Sequence, residues 1–172
     1  SFPHELPGYR HVSDPAVREL FGKEWGVKIQ PEPGLRIPNM FDAAVDGSFK
    51  ALYVQGEDIA QSDPDTQHVQ KALESLECLI VQDIFLNETA KYAHVIFPGS
   101  SFLEKDGTFT NAERRISMVR KVMPPLAGLA DWEVTVRFAE ALGYRMDYKH
   151  PSEIMDEIAR LTPTFSGVSY DK

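Results

Sequence analysis

Three short apolar runs constrain this chain more than anything else in it: residues 49–55 (FKALYVQ), 78–82 (CLIVQ) and 94–97 (HVIF). Each has the length of a strand, and each is followed by polar or turn-forming residues. Between the first two, Val69, Ala72, Leu73 and Leu76 recur at i, i+3, i+4 and i+7, the stripe of a helix with one buried face. Asp63 and Pro64 supply its cap and first-turn proline. Between the second and third runs, residues 87–90 (NETA) read as a single helical turn. Strands alternating with helical segments predict right-handed β-α-β crossovers and a mainly parallel sheet covered on both faces, a three-layer α/β domain.

The flanks carry weaker signals. Residues 1–37 are rich in Pro and Gly and read as an irregular lead-in with one helical stretch over 15–25. The domain proper is expected over 38–172, where Pro38 opens a short helix that Gly47 stops. Residues 104–115 read as a charged loop, and 115–122 (RISMVRKV) as a strand at a sheet edge or in another layer. Asp131 is placed to cap a helix ending at Gly143, with Trp132, Val136 and Ala139 on one face. Ser152 is placed to cap a last helix that turns Ile154, Met155, Ile158 and Leu161 inward.

Bulk properties narrow the function classes. A formal charge of −8 on 172 residues argues against a nucleic-acid surface and against an anionic membrane. No apolar run approaches the roughly 18 residues a membrane span needs. The single Cys78 rules out a disulfide framework and any four-cysteine zinc or iron–sulfur site made by this chain alone, and it fits a reducing cytoplasm. Cys78 lies in an apolar run and reads as a buried, inert thiol. The start, SFPHELPGYR, has no initiating Met and no signal-peptide pattern, so processing or excision from a longer chain is expected.

In parallel α/β sheets ligands bind outside the carboxyl ends of the strands. Here those ends carry Gln55, Gly56, Glu57 and Asp58, then Gln82 and Asp83, then Pro98, Gly99, Ser100 and Ser101. Carboxylates at neighbouring strand ends suit a ribose diol or the N1–H and N2 amine of a guanine edge, and Gly56 allows close backbone approach. Acidic residues after strands are also ordinary turn formers and helix caps, and the residues alone leave both readings open. The stretch 104–115 (EKDGTFTNAERR) carries the same ambiguity. Lys105, Arg114 and Arg115 suit phosphate or diphosphate, and equally suit a salt-bridged loop between layers. There is no glycine triad of dinucleotide type, no Gly-Lys-Ser/Thr loop and no histidine pair at helix-face spacing. His94 reads as structural.

Three segments, YVQGEDIAQSDPD, VQDIFLNETAKYAHVIFPGSSFLEKDGTFTNAERR and DWEVTVRFAEALGY, resemble the molybdopterin oxidoreductase family. Within it the resemblance is to the catalytic alpha subunit of cytoplasmic, NAD-dependent formate dehydrogenases, and it covers residues 7–172. It implies the middle-domain fold of formate dehydrogenase and DMSO reductase, in a fragment of a much longer subunit. Residues 99–172 are then expected to belong in part to a neighbouring domain. The resemblance implies two molybdopterin guanine dinucleotides (bis-MGD) on one molybdenum or tungsten, with iron–sulfur clusters outside this chain. Its implied partners are the rest of the alpha subunit and diaphorase-type NAD/FMN and iron–sulfur subunits, with neither nucleic acid nor membrane.

Carried over by motif, Gly56, Glu57 and Asp58 would lie against one guanosine, and Gln82 and Asp83 would meet its ribose or base. Lys105 would face the pterin or diphosphate, and Asp131 the guanine edge. Two positions depart from the family pattern: Ile59 stands where many relatives have Pro, and His94 where many have Asp. The family's metal-ligating Cys or selenocysteine, its formate-binding His and Arg and its cluster cysteines have no counterpart here, so this piece alone is expected to be inactive. Three rivals remain at this stage: a non-catalytic complex I-type electron-transfer segment, a free-standing cofactor-binding module, and a nucleotide-binding protein unrelated to pterins.

Overall fold

In the computed structural model, residues 2–171 are described. The chain opens with two short paired strands, β1 (Glu5–Leu6) and β2 (Arg10–His11), and helix α1 (Pro15–Trp25). Asp14 caps α1 by accepting the Ala16 N–H at 2.9 Å, and Pro15 begins it where no amide partner is needed. Next come α2 (Ile37–Val45), β3 (Ala51–Gln55), the one-turn α3 (Ile59–Ser62) and α4 (Thr66–Ser75). Then follow β4 (Cys78–Asp83), a 3-10 turn (Thr89–Tyr92) and β5 (Val95–Pro98). The chain ends with β6 (Gly107–Thr110), β7 (Ile116–Val119), α5 (Asp131–Ala141) and α6 (Pro151–Leu161), before a final 3-10 turn over Pro163–Phe165.

These elements form two compact units, Pro38–Tyr148 and the residues up to Ile37 together with those from Lys149. In the central unit β3, β4 and β5 form a parallel sheet in that order, pairing Ala51 with Cys78 and Ile80 with Val95 at the first register positions. One face carries Val54, Leu79 and Val81. They pack with Phe41 and Ala44 of α2, Ala60 of α3 and Val69, Ala72 and Leu73 of α4. Leu73, Leu79, Val69 and Val81 are almost wholly buried. At about 1.5–3 kcal/mol for each such side chain, this face fixes the register, because a one-residue slip would turn it away from α2 and α4 to the opposite side of the sheet. On the other face Tyr53 and Phe97 meet Phe138 of α5, with ring centroids 5.1 and 5.9 Å away. Helices therefore cover both faces of a parallel sheet, the expected three-layer α/β arrangement.

Several local expectations are corrected. Asp65, not Asp63, caps α4 by accepting the His68 N–H, while Asp63 accepts the Asp65 N–H, so the acidic pair splits the work of one cap. Strand β5 runs one residue later than expected and includes Pro98, which is tolerated because β5 is an edge strand. A third of the expected 104–115 loop is strand: β6 pairs antiparallel with β7 in a separate two-stranded sheet. His150, rather than Ser152, caps α6, its Nδ1 accepting the Ser152 N–H at 3.2 Å ahead of Pro151. Met155 and Leu161 are buried as expected, but Ile158 is exposed. Cys78 is half-buried rather than buried.

In the terminal unit the fully buried Phe21 lies under the Arg10 guanidinium, 4.5 Å from the ring centroid. Arg10 donates to the carbonyls of Pro7 and Leu161, and Trp25 Nε1 donates to Glu157 at 2.9 Å, so α1 and α6 are tied together. Among the described residues no helix is long and apolar enough to cross a membrane.

Candidate functional site

The carboxyl ends of β4 and β5 are held unusually close. Gly99 N–H donates to the Asp83 carbonyl at 2.8 Å, and a Cβ on Gly99 would stand 2.9 Å from the Asp83 carbonyl carbon. Only glycine permits this approach, which brings the loop after β5 against the end of β4.

Asp131 enters that corner from the first turn of α5. It was expected to cap the helix, but Ala130 occupies the cap position and Glu133 closes the turn by accepting the Ala130 N–H at 2.7 Å. The Asp131 carboxylate is drawn sideways into a polar cluster instead. Its Oδ1 accepts from Gln82 Nε2 at 3.0 Å and from the Ser100 N–H at 2.9 Å. Its Oδ2 accepts from the Lys105 ammonium, which also donates to the Ser100 carbonyl at 2.9 Å. Ser100 Oγ in turn accepts the Asp131 N–H at 3.0 Å. This anchoring sets the rotation of α5, so Asp131 and Phe138 face the sheet while Trp132, Val136 and Ala139 are half-buried.

Burial works to raise the Asp131 carboxyl, but the bonds from Lys105, the Ser100 N–H and Gln82 outweigh it and hold the group below the usual carboxylate range. Gln82 is itself buried, 1% exposed, and both ends of its amide are used, because the Tyr53 hydroxyl donates to its Oε1. Burial pushes the Tyr53 hydroxyl up, which keeps it a donor. The expected ligand-facing Gln82 therefore stands behind Asp131 as its support.

The first loop divides its two carboxylates. Asp58 accepts the N–H groups of Glu88 and Thr89, at 3.3 and 2.9 Å, and the Thr89 hydroxyl at 2.7 Å. Burial works against its charge, yet these donors still hold its carboxyl below the ordinary value. Asp58 thus staples the end of β3 to the turn after β4. Glu57 is exposed and accepts only from Ser62 Oγ, at 2.9 Å, among the hydrogen bonds described for it. Gly56 adopts φ +63° with open space where a Cβ would stand. Asp83 accepts from the Ile84 N–H and Asn87 Nδ2 at 2.7 and 2.9 Å and is half-buried at the sheet end.

The structure thus gathers Gln82, Lys105 and Asp131 into one cluster. Gly56 meets it through the backbone, its N–H donating to the Gln82 carbonyl at 2.9 Å, while Glu57, Asp58 and Asp83 sit on neighbouring strand ends with no hydrogen bond to it among those described. Sequence reasoning missed two participants. Tyr53 reads as one more apolar strand residue, and nothing in the sequence marks its hydroxyl for Gln82. Glu104 reads as part of a charged loop, yet it is buried and accepts the N–H groups of Ser101 and Leu126 at 2.8 and 2.7 Å. Those two amides, the Leu126 one foremost, pull its carboxyl below the usual range. Arg114 and Arg115 lie exposed at the β6–β7 turn. His94 Nδ1 accepts the Leu79 N–H at 2.9 Å, a structural role.

An apolar cleft of about 310 Å³ flanks the cluster between the end of β5 and α5, lined by Phe97, Pro98, Leu129, Val134, Arg137 and Phe138. None of the cluster's polar side chains lines it. Among the described residues no group of three or more His, Cys, Asp or Glu is placed to hold a metal ion.

A three-stranded parallel sheet with helices on both faces, and a fixed carboxylate and an ammonium at its carboxyl edge, defines an α/β domain. Residues 9–141 match the family described as molybdopterin oxidoreductase, and the chain belongs to that family. Over its whole length it is 48% identical to a protein of Staphylococcus haemolyticus named "Putative formate dehydrogenase", and 46% identical to one of that name from Staphylococcus aureus. It spans 18% of the length of each. In structure it is similar to acetylene hydratase from Pelobacter acetylenicus, with a TM-score of 0.65 at 18% identity, over 91% of this chain and 22% of that one. That likeness concerns the fold.

Proposed function

We propose that this chain is a segment of the catalytic subunit of a formate dehydrogenase and forms one wall of a molybdopterin guanine dinucleotide site. The observation that carries the reading is the Gln82–Asp131–Lys105 cluster at the carboxyl edge of the sheet. There a carboxylate and an ammonium lie side by side, each about a quarter exposed or less: 21% for Asp131 and 27% for Lys105. The donor set fits the nucleotide end of such a cofactor, with Asp131 for the paired N–H donors of a guanine edge and Lys105 for phosphate or pterin oxygen. The names of the Staphylococcus relatives support formate as the substrate of the whole protein.

In this reading Gln82 and Ser100 orient Asp131, Asp83 accepts ribose hydroxyls, and Gly56 lets the backbone approach the ligand. Glu57 is the available carboxylate of its loop, since Asp58 is committed to Glu88 and Thr89. When bound, the cofactor supplies the molybdenum or tungsten centre at which formate is oxidised to carbon dioxide. The residues of this chain bind and orient its nucleotide end. The reading includes a second guanine dinucleotide on the same metal, iron–sulfur clusters in the rest of the subunit, and diaphorase-type NAD/FMN partners in the cytoplasm. The exposed Phe85 and Leu86 after β4, at 75 and 77%, suit burial against further polypeptide.

The test is chemical. The polypeptide containing this sequence, purified from its source, is expected to carry molybdenum or tungsten, to release GMP on acid hydrolysis, and to reduce NAD with formate. The chain of 172 residues alone is expected to be inactive. A metal-free polypeptide, or a pterin that releases no GMP, overturns the proposal.

A further inference from the structure

Resting on the nucleotide reading above, we infer that Lys105 is a specificity-determining residue: it caps Asp131 until a ligand supplies a phosphate to draw it away. Asp131 Oδ1 is saturated by two donors that cannot readily leave. Gln82 is 1% exposed and pinned by the Tyr53 hydroxyl, and the Ser100 amide belongs to a residue 4% exposed. An incoming pair of N–H donors therefore has only Oδ2 to bind, and the Lys105 ammonium holds it. Lysine carries a point charge with three donors on a flexible stem, so it can move to a phosphate without moving the backbone.

Neither half of a nucleotide opens this site well by itself. A nucleoside must displace the ammonium while offering it no anion. A free phosphate takes the ammonium but strips Asp131 Oδ2 of its donor in a half-buried setting, where an uncompensated carboxylate is costly. A guanine nucleotide does both: its phosphates take Lys105 and its base edge replaces it on Oδ2. The two ends of the ligand are thus positively coupled through one lysine, and coupling of this kind is reciprocal.

The test uses this chain with guanosine, GDP, ADP and inorganic pyrophosphate, followed by ligand-observed NMR titration. In the wild type, pyrophosphate is expected to strengthen guanosine binding several-fold, and GDP to bind at least tenfold more tightly than guanosine. In Lys105→Met, guanosine is expected to bind more tightly than in the wild type, and the pyrophosphate effect to vanish. The wild-type arm stands on its own should the variant fail to fold. Preference for GDP over ADP with no pyrophosphate effect on guanosine overturns the role of Lys105 and leaves the guanine reading intact. Equal binding of GDP and ADP, or binding of neither, overturns the guanine reading and the role of Lys105 with it.

Discussion

Gln82 Nε2 donates to Asp131 Oδ1 across 3.0 Å although 49 positions separate the two residues in the chain. A neutral amide, itself held by Tyr53, fixes the orientation of a charged group at the end of the sheet. That geometry joins the core of the central unit to its candidate site.

Removing the amide should be costly. Gln82→Met is expected to destabilise the chain by about 1–3 kcal/mol, because it leaves the Tyr53 hydroxyl and one Asp131 hydrogen bond without that partner in a buried setting. Tyr53→Phe leaves the buried Gln82 carbonyl without its donor. The two changes should be less than additive by urea denaturation, since they break one relay. Strict additivity would argue against it.

Gly99 offers a steric test. In Gly99→Ala the new Cβ meets the Asp83 backbone, which cannot rotate aside, so a loss of about 1–3 kcal/mol is expected from overpacking. Gly107→Ala has open space around the new Cβ and should stay within about 0.5 kcal/mol of the parent. Thermal melts of the pair compare close approach with an ordinary strand glycine.

The two carboxylates of the first loop are expected to separate cleanly. Asp58→Ala releases the Glu88 and Thr89 amides and the Thr89 hydroxyl, and should cost about 1–3 kcal/mol of stability. Glu57→Ala should leave the unfolding midpoint nearly unchanged while lowering cofactor retention in the longer polypeptide. The reverse pattern would exchange the roles given to these residues.

Acid should act through three groups. Asp58, Glu104 and Asp131 are all held below their ordinary values in the folded chain. Above the unfolded carboxylate values of about 3.9–4.3 they are ionised in both states, and their contribution is fully present. As the pH falls below that range the unfolded chain binds protons first, so stability drops until the depressed native values are passed. Urea midpoints between pH 5 and 2 should show this fall, and Asp131→Asn should show a shallower one. An unchanged slope in that variant would contradict the part assigned to Asp131.

Much of the scaffold is legible in residue order. The 69, 72, 73 stripe of α4 with Leu76 just past its end, the apolar runs of β3 and β4 and the short turn before β5 are local patterns, and local patterning decides which face must leave water. Turn and cap chemistry is less legible. At Asp63 and Asp65, or His150 and Ser152, two capable groups lie within two positions, and backbone geometry chooses between them. Strand β7 is legible within residues 115–122, but its partner β6 is hidden, because the charge of residues 104–115 masks the β-forming Gly-Thr-Phe-Thr run within them.

The sequence by itself determined a parallel α/β sheet, the strand ends at which a ligand would meet polar groups, and the motifs that place the chain in its family. Only the tertiary structure decided which polar residues meet. It turned Gln82 from a ligand-facing candidate into a buried support, committed Asp58 to the backbone of a neighbouring turn, and set Lys105 against Asp131. The physical reason is that a hydrogen bond or ion pair is fixed by distance and orientation in space. Gly99, by allowing two strand ends to touch, brings residues 26 and 49 positions apart from Asp131 to the same carboxylate.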